Sequence, residues 1–164
     1  MILGLTVPVF LHVLISLAAI GAGLMVLAGF IGDKRLDGAN AFFLATTILT
    51  SVSGFLLPAH KVLPSHVLGV LSLIALAIAC FARYSKKMRD GWRRTYVIAA
   101  MISFYFNVFV LVAQSFLKVS SLHALAPGGS EPPFAVAQSL VLIAFIALTV
   151  LAVKKYHLAA ARTA

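Results

Sequence analysis

Five stretches of roughly twenty mostly apolar residues, parted by short polar breaks, leave this chain few ways to fold. They cover residues 7–31, 39–57, 65–82, 94–116 and 133–153. As helices, each is long enough to cross the hydrocarbon core of a bilayer. In lipid no water satisfies exposed backbone groups, so a spanning segment of this length must be helical. Composition agrees: 62% of the residues are apolar, 10% are charged, and mean hydropathy is +1.08. Soluble domains carry about 25% charged residues. A soluble core of 164 residues has too little interior to hide this much apolar surface. The expected fold is therefore all-α: an integral membrane bundle of five transmembrane helices in one domain, residues 1–164, with the lipid bilayer as its solvent.

The breaks carry stop signals. Gly32-Asp33-Lys34-Arg35-Leu36-Asp37-Gly38 reads as a polar turn, Pro58 and Pro64 bracket the second break, and Pro127-Gly128-Gly129 with Pro132-Pro133 bracket the fourth. Ser65 and Ser130 are the expected N-caps of the helices that follow them.

Net charge is +9 and the pI is 10.2, values that would suit nucleic-acid binding in a soluble protein. Here the cations sit in short loops beside apolar spans, where they set orientation and meet anionic headgroups. Nucleic acid is therefore not an expected partner. Residues 32–38 hold Lys34 and Arg35; residues 83–95 hold Arg83, Lys86, Lys87, Arg89, Arg93 and Arg94; the tail holds Lys154, Lys155 and Arg162. Five spans put all three regions on one side, the cytoplasmic one by the positive-inside rule. Only Lys61 and Lys118 fall on the other side. The expected N-terminus is periplasmic and the C-terminus cytoplasmic. Residues 1–9 contain no basic run, so the first span is expected to serve as an uncleaved anchor. A four-span reading would split the basic loops across both faces.

Four of the five histidines fall on the cation-poor side. His12 lies about 7 Å inside span one at 1.5 Å per residue. His60 closes span two, His66 opens span three, and His123 follows span four; only His157 is on the basic side. Helical spacing puts His12, Ser16, Ala19 and Gly23 on one face of span one, where small residues admit another helix or a flat macrocycle. Thr46, Thr50, Ser53 and His60 share a face of span two. Ser103, Asn107, Gln114 and Lys118 make a stripe on span four, and Gln138 begins one on span five. Such polar stripes are expected to point into the bundle. The result would be a polar outer half and a plain apolar inner half.

Three readings of the histidines compete. A bis-histidine haem b would use His12 with His66, or with His60 in substitution, and Lys61 and Lys118 would meet the propionates. A zinc or copper(II) site would use His12, His60 and His66, completed by Glu131 or water. In the third reading the histidines are interfacial residues that hydrogen-bond to loops and headgroups, with no cofactor. Glu131 also has a plainer role, since Ser130, Glu131 and Pro133 form a good helix start. Asn107 reads as an interhelical hydrogen-bonding residue. Phe104, Tyr105, Phe106 and Phe109 read as packing, and Trp92, Tyr84 and Tyr96 as the inner aromatic belt. The lone Cys80 excludes an intramolecular disulfide and CxxC chemistry. No span carries a buried lysine for a retinal Schiff base, and no phosphate loop, HExxH or nucleophile elbow occurs. No internal repeat suggests a transporter.

The strings His60-Lys61-x-x-Pro64-Ser65-His66, Trp92-Arg93-Arg94-x-Tyr96-Val97, Asn107-Val108-Phe109-Val110-Leu111-Val112-x-Gln114 and Ser130-Glu131-Pro132-Pro133-Phe134 resemble a group of small proteobacterial membrane proteins. The resemblance runs over roughly residues 40–155 and implies a bacterial inner-membrane location. It draws attention to His60, His66, Asn107, Gln114 and Glu131 and brings no activity with it. From the residues themselves, the leading expectation is a membrane redox protein. It would pass electrons between a quinol pool, quinone being a possible partner, and a respiratory complex. The alternatives are a non-catalytic accessory subunit or assembly factor, and an oligomeric channel or transporter that uses the Ser103–Asn107–Gln114 stripe.

Overall fold

The computed structural model describes residues 6–57 and 64–157. Its order is α1 (Val7–Ile31), α2 (Asp37–Leu56), α3 (Pro64–Cys80) continued by a π-helical turn (Phe81–Ser85), α4 (Trp92–Lys118), a short α5 (Ser120–His123) and α6 (Pro132–Lys155). No strand occurs among the described residues. Five helices, the third counted through its π turn, are long and apolar enough to cross a membrane. The expected spans differ from these by three residues or fewer at each end.

Local chemistry sets the helix boundaries. Pro8 and the pair Pro132-Pro133 occupy the first turns of α1 and α6, where a missing N–H costs nothing. Lys154 and Lys155 meet the negative end of the α6 dipole, and Asp37 the positive end of α2. Two expected caps differ. Ser65 lies inside the first turn of α3, and Glu131, not Ser130, caps α6.

Helices α1 to α4 form an up-and-down bundle in which each packs on the next and α4 returns to α1. No backbone contact joins α1 to α3, because α2 stands between them. The fifth span, α6, lies against α4 and α1 and is almost bare, with only Gln138 and Ala152 buried. Leu140, Ile143 and Ile146 on its outer face are exposed, a surface that suits lipid.

One end of the bundle is closed by core packing; the other is more open among the described residues. The core gathers Phe30, Phe43, Met88, Tyr96, Val97, Phe104 and Tyr156 at the end where the basic loops meet. A Cβ on Gly23 would lie 2.6 Å from the Phe104 ring, so that ring fills the space glycine leaves on α1. At the other end burial is sparse: none falls in residues 7–18, 52–57, 65–71 or 105–115, while Phe116, Ala126 and Gln138 are buried. His12 and His66 sit at this end.

Candidate functional site

At the open end, His12 projects from α1 toward α2. Its Nδ1 lies 2.7 Å from Ser53 Oγ. The Ser53 hydroxyl also lies 3.2 Å from the Thr50 carbonyl, and Ser16 Oγ donates to the His12 carbonyl at 2.7 Å. Gly54 leaves room for the ring; a Cβ there would lie 3.6 Å from His12 Cε1. The half-buried His12 therefore faces inward, as the spacing of Ser16, Ala19 and Gly23 implies.

His66, in the first turn of α3, also turns to α2. It stacks on Phe55 with ring centroids 5.5 Å apart and planes at 16°. The same seam holds Ser51 Oγ and Ser72 Oγ at 3.2 Å, with Gly69 under the Phe55 ring. Ser53 and Phe55 are two residues apart, which places them roughly 160° apart around α2. His12 and His66 thus engage nearly opposite flanks of one helix and are not brought together face to face. His60 and Lys61 lie outside the described residues.

Glu131 belongs to the turn before α6. One carboxylate oxygen accepts the Gly128 amide at 2.6 Å and the other the Ser130 amide at 2.9 Å. These backbone N–H groups hold its pKa below the ordinary carboxylate value. Both oxygens thus serve the helix start that the residue pattern implies. No group of three or more His, Cys, Asp or Glu side chains with metal-site geometry occurs among the described residues. His123, on α5, is exposed.

The polar stripe of α4 divides. Ser103 is fully buried and donates to the Ala99 carbonyl at 3.0 Å. Asn107 Nδ2 lies 3.5 Å from Thr47 Oγ1 on α2, and Gln138 Nε2 donates to the Phe109 carbonyl at 3.0 Å. These are the interhelical bonds expected of such residues. Gln114 and Lys118 are instead exposed, so the outer part of the stripe does not face the bundle. Phe104 packs against Phe43 and Phe145, and Tyr105 against Phe106, Phe109 and Phe145, as the packing reading holds.

The closed end holds a polar cluster that the residue spacing was not read to contain. Arg83, in the π turn, is 7% exposed. Its Nη2 pairs with Asp37 Oδ1 on α2, and its guanidinium lies 5.2 Å from the Tyr96 ring centroid. The Tyr96 hydroxyl donates to Asn40 Oδ1, and Asn40 Nδ2 donates to the Leu36 carbonyl at 2.6 Å. Tyr156 completes the cluster. Its ring lies 4.9 Å from Phe30, and its hydroxyl is buried close to the Arg83 guanidinium. Burial raises the pKa of that phenol, while the Arg83 charge pulls it back down. Beyond the π turn, Lys87, Met88 and Asp90 take positive φ to bring the chain round into α4.

The inner half is thus not plain apolar, and Tyr96 is a core residue, not a member of an aromatic belt. A signal was present: Ser72, Leu76, Ala79 and Arg83 follow a 4-3-4 spacing, so Arg83 continues the buried face of α3. The cluster resembles a structural staple more than a reaction centre. Among the described residues Asp37 is the acid paired with Arg83, and the Tyr96 ring beside it is buried in the core.

Comparison with protein-family models, curated proteins and solved structures gives no match.

Proposed function

We propose that the chain is a multi-pass protein of the bacterial inner membrane that holds haem b or a metal ion at its histidine end. There it exchanges electrons with a quinol pool or a respiratory partner. In this reading the N-terminus is periplasmic and the C-terminus cytoplasmic, because Lys34, Arg35, the cations of residues 83–95 and those of the tail share the other end. The observation that carries the reading is His12. An imidazole within a spanning helix has one ring nitrogen tied to Ser53 at 2.7 Å, at the end of the bundle where few of the described residues are buried. Proteins orient metal-ligating histidines through such a bond to the second ring nitrogen. His66 lies across α2, so the intrachain bis-histidine pair to test is His12 with His60. Lys61 and the exposed Lys118 remain the candidates for propionates. Zinc or copper(II) at His12 is the other form of the same site.

A second reading has its own support. Asn107 and Gln138 are spent on helix–helix bonds, and Gln114 faces outward. This argues against a conducting stripe and favours an accessory subunit or assembly factor whose polar groups only hold the bundle together.

The test is a visible spectrum of the detergent-purified protein, oxidised and dithionite-reduced, with metal analysis on the same sample. The expected result is a Soret band with α and β bands that sharpen on reduction, or stoichiometric metal, lost in His12→Ala. Full retention in single alanine variants of His12, His60 and His66 refutes the site. A colourless, metal-free native preparation moves the accessory-subunit reading to the front.

A further inference from the structure

We infer that the connection between α3 and α4 carries a seat for one anionic phospholipid, whose phosphate meets Lys86 and Arg89 and whose acyl chains lie along the outer face of α3. The seat is at the closed end and does not rest on the electron transfer proposed for the histidine end.

The chain-binding part follows from helical spacing. Val67, Leu71, Ile74, Ile78 and Phe81 recur at 4-3-4-3 spacing and are all exposed, so they make one apolar stripe along the helix. The buried face that runs from Ser72 through Leu76 and Ala79 to Arg83 lies on the opposite flank. An exposed stripe alone selects no lipid, because any acyl chain fits it.

Selection arises where the stripe ends. Phe81 meets Trp92 of α4 edge to face, with ring centroids 5.3 Å apart. Lys86 Nζ lies 5.4 Å from the Phe81 centroid and 5.6 Å from that of Trp92. Two rings thus hold the ammonium beside the apolar stripe instead of letting it extend into water. The turn around it is fixed by its own backbone. The Lys86 amide donates to the Phe81 carbonyl, the Arg89 amide to the Lys86 carbonyl and the Trp92 amide to the Arg89 carbonyl, each at 3.0 Å. Met88 is buried within that turn, which leaves Lys86, Lys87 and Arg89 exposed around it. Asp90 is the one acid of residues 86–91 against those three cations.

The level also fits. Trp92 and the exposed Tyr84 are rings of the kind that favour the boundary between hydrocarbon and headgroups. A soluble anion would meet the cations and leave the stripe unused, whereas a phospholipid meets both. Choline headgroups carry a cation beside the phosphate; an anionic lipid leaves the phosphate for Lys86 and Arg89 to neutralise. The seat is local. Arg93, one residue after Trp92, points to another neighbour, and its Nη1 donates to the Val153 carbonyl of α6 at 3.3 Å. No backbone contact joins α6 to α3, so Lys154 and Lys155 stand on the other flank of α4.

The test uses a probe the chain already holds, since Trp92 is its only tryptophan. The full chain is reconstituted in mixed vesicles of phosphatidylglycerol and phosphatidylcholine, with bromine high on the acyl chains of one lipid or the other. Quenching of Trp92, taken relative to unbrominated vesicles, gives the preference for the anionic lipid. A cation near an anionic surface contributes about fivefold, so the wild type is expected to prefer phosphatidylglycerol by about 5- to 25-fold. The exposed pair change Lys86→Gln with Arg89→Gln should bring the two lipids to parity, and Lys86→Arg should keep the preference. Lys154→Gln with Lys155→Gln, an equal loss of charge, should leave it unchanged. Equal quenching by both lipids in the wild type overturns the inference without any variant. A preference that survives the Lys86 and Arg89 changes overturns it as well. An equal fall in both double variants shows a diffuse field of charge in place of a seat, and overturns it too.

Discussion

Replacing Tyr96 by Phe removes one buried hydroxyl at the closed end. The ring stays, and with it the packing on Phe30 and the guanidinium of Arg83; only the hydroxyl that serves Asn40 Oδ1 is lost. Interhelical hydrogen bonds in membrane proteins are worth about 0.6 kcal/mol on average and about 1.7 kcal/mol at most, because the separated helices find other partners. Here that escape is narrow. Asn40 is 2% and Tyr96 0% exposed, and the Asn40 amide nitrogen is already committed to the Leu36 carbonyl. The cost should therefore fall in the upper part of the range, about 1–1.7 kcal/mol, or roughly 5- to 20-fold in the unfolding constant. Reversible unfolding in mixed detergent–SDS micelles measures it. Asn40→Leu should cost a similar amount by stranding the Tyr96 hydroxyl. The double variant should cost less than the sum, because removing both partners leaves no orphaned group. A Tyr96→Phe change under about 0.5 kcal/mol, or strictly additive variants, would refute the claim that this bond joins α2 to α4.

Other consequences follow from the same contacts. Gly23→Ala places a methyl 2.6 Å from the Phe104 ring, which Phe43 and Phe145 pin on its other sides, so thermal unfolding should report a loss of about 1–3 kcal/mol that Phe104→Leu partly restores. Glu131 has a lowered pKa, so its ionised form stabilises the α6 turn above the ordinary carboxylate range and ceases to do so as pH falls through the lowered value. Protection factors of the Gly128 and Ser130 amides, corrected for the intrinsic pH dependence of exchange, should fall over that acid interval in the wild type and stay flat in Glu131→Gln. For orientation, a phosphatase fused after residue 164 should be inactive and one fused in the turn after α5 active; the reverse pattern refutes the proposed topology.

What the residue pattern made legible, and what it did not, divides by the kind of physics involved. Spans were legible because lipid imposes one rule on every residue of a helix, and apolar run length reports it directly. The inward face of α1 was legible for a related reason: His12, Ser16, Ala19 and Gly23 repeat at helical spacing, and small residues there have a steric consequence. Neither tool reaches pairings between helices. Spacing put His12 and His66 at one depth, yet it carries no information about which flank of α2 each would meet. Ser53 and Phe55, two residues apart, separate them.

Arg83 exposes a different weakness. Counted among the loop cations, it contributes one charge to the orientation argument; in the fold it is buried and paired with Asp37. The orientation argument survives its removal, since Lys86, Lys87, Arg89, Arg93 and Arg94 remain in the same connection. The site argument does not transfer so easily. A buried cation is costly unless a partner meets it, so Arg83 and Asp37 constrain how α2 and α3 join at the closed end. That constraint fixes the end of the bundle opposite the histidines. A well-packed closed end and a histidine end with few buried residues among those described would suit the proposed ligand site beside His12. The same division would serve an accessory subunit that receives a partner there. The two differ in what they ask of His12: a docking surface needs no ring nitrogen free, whereas a ligand site does.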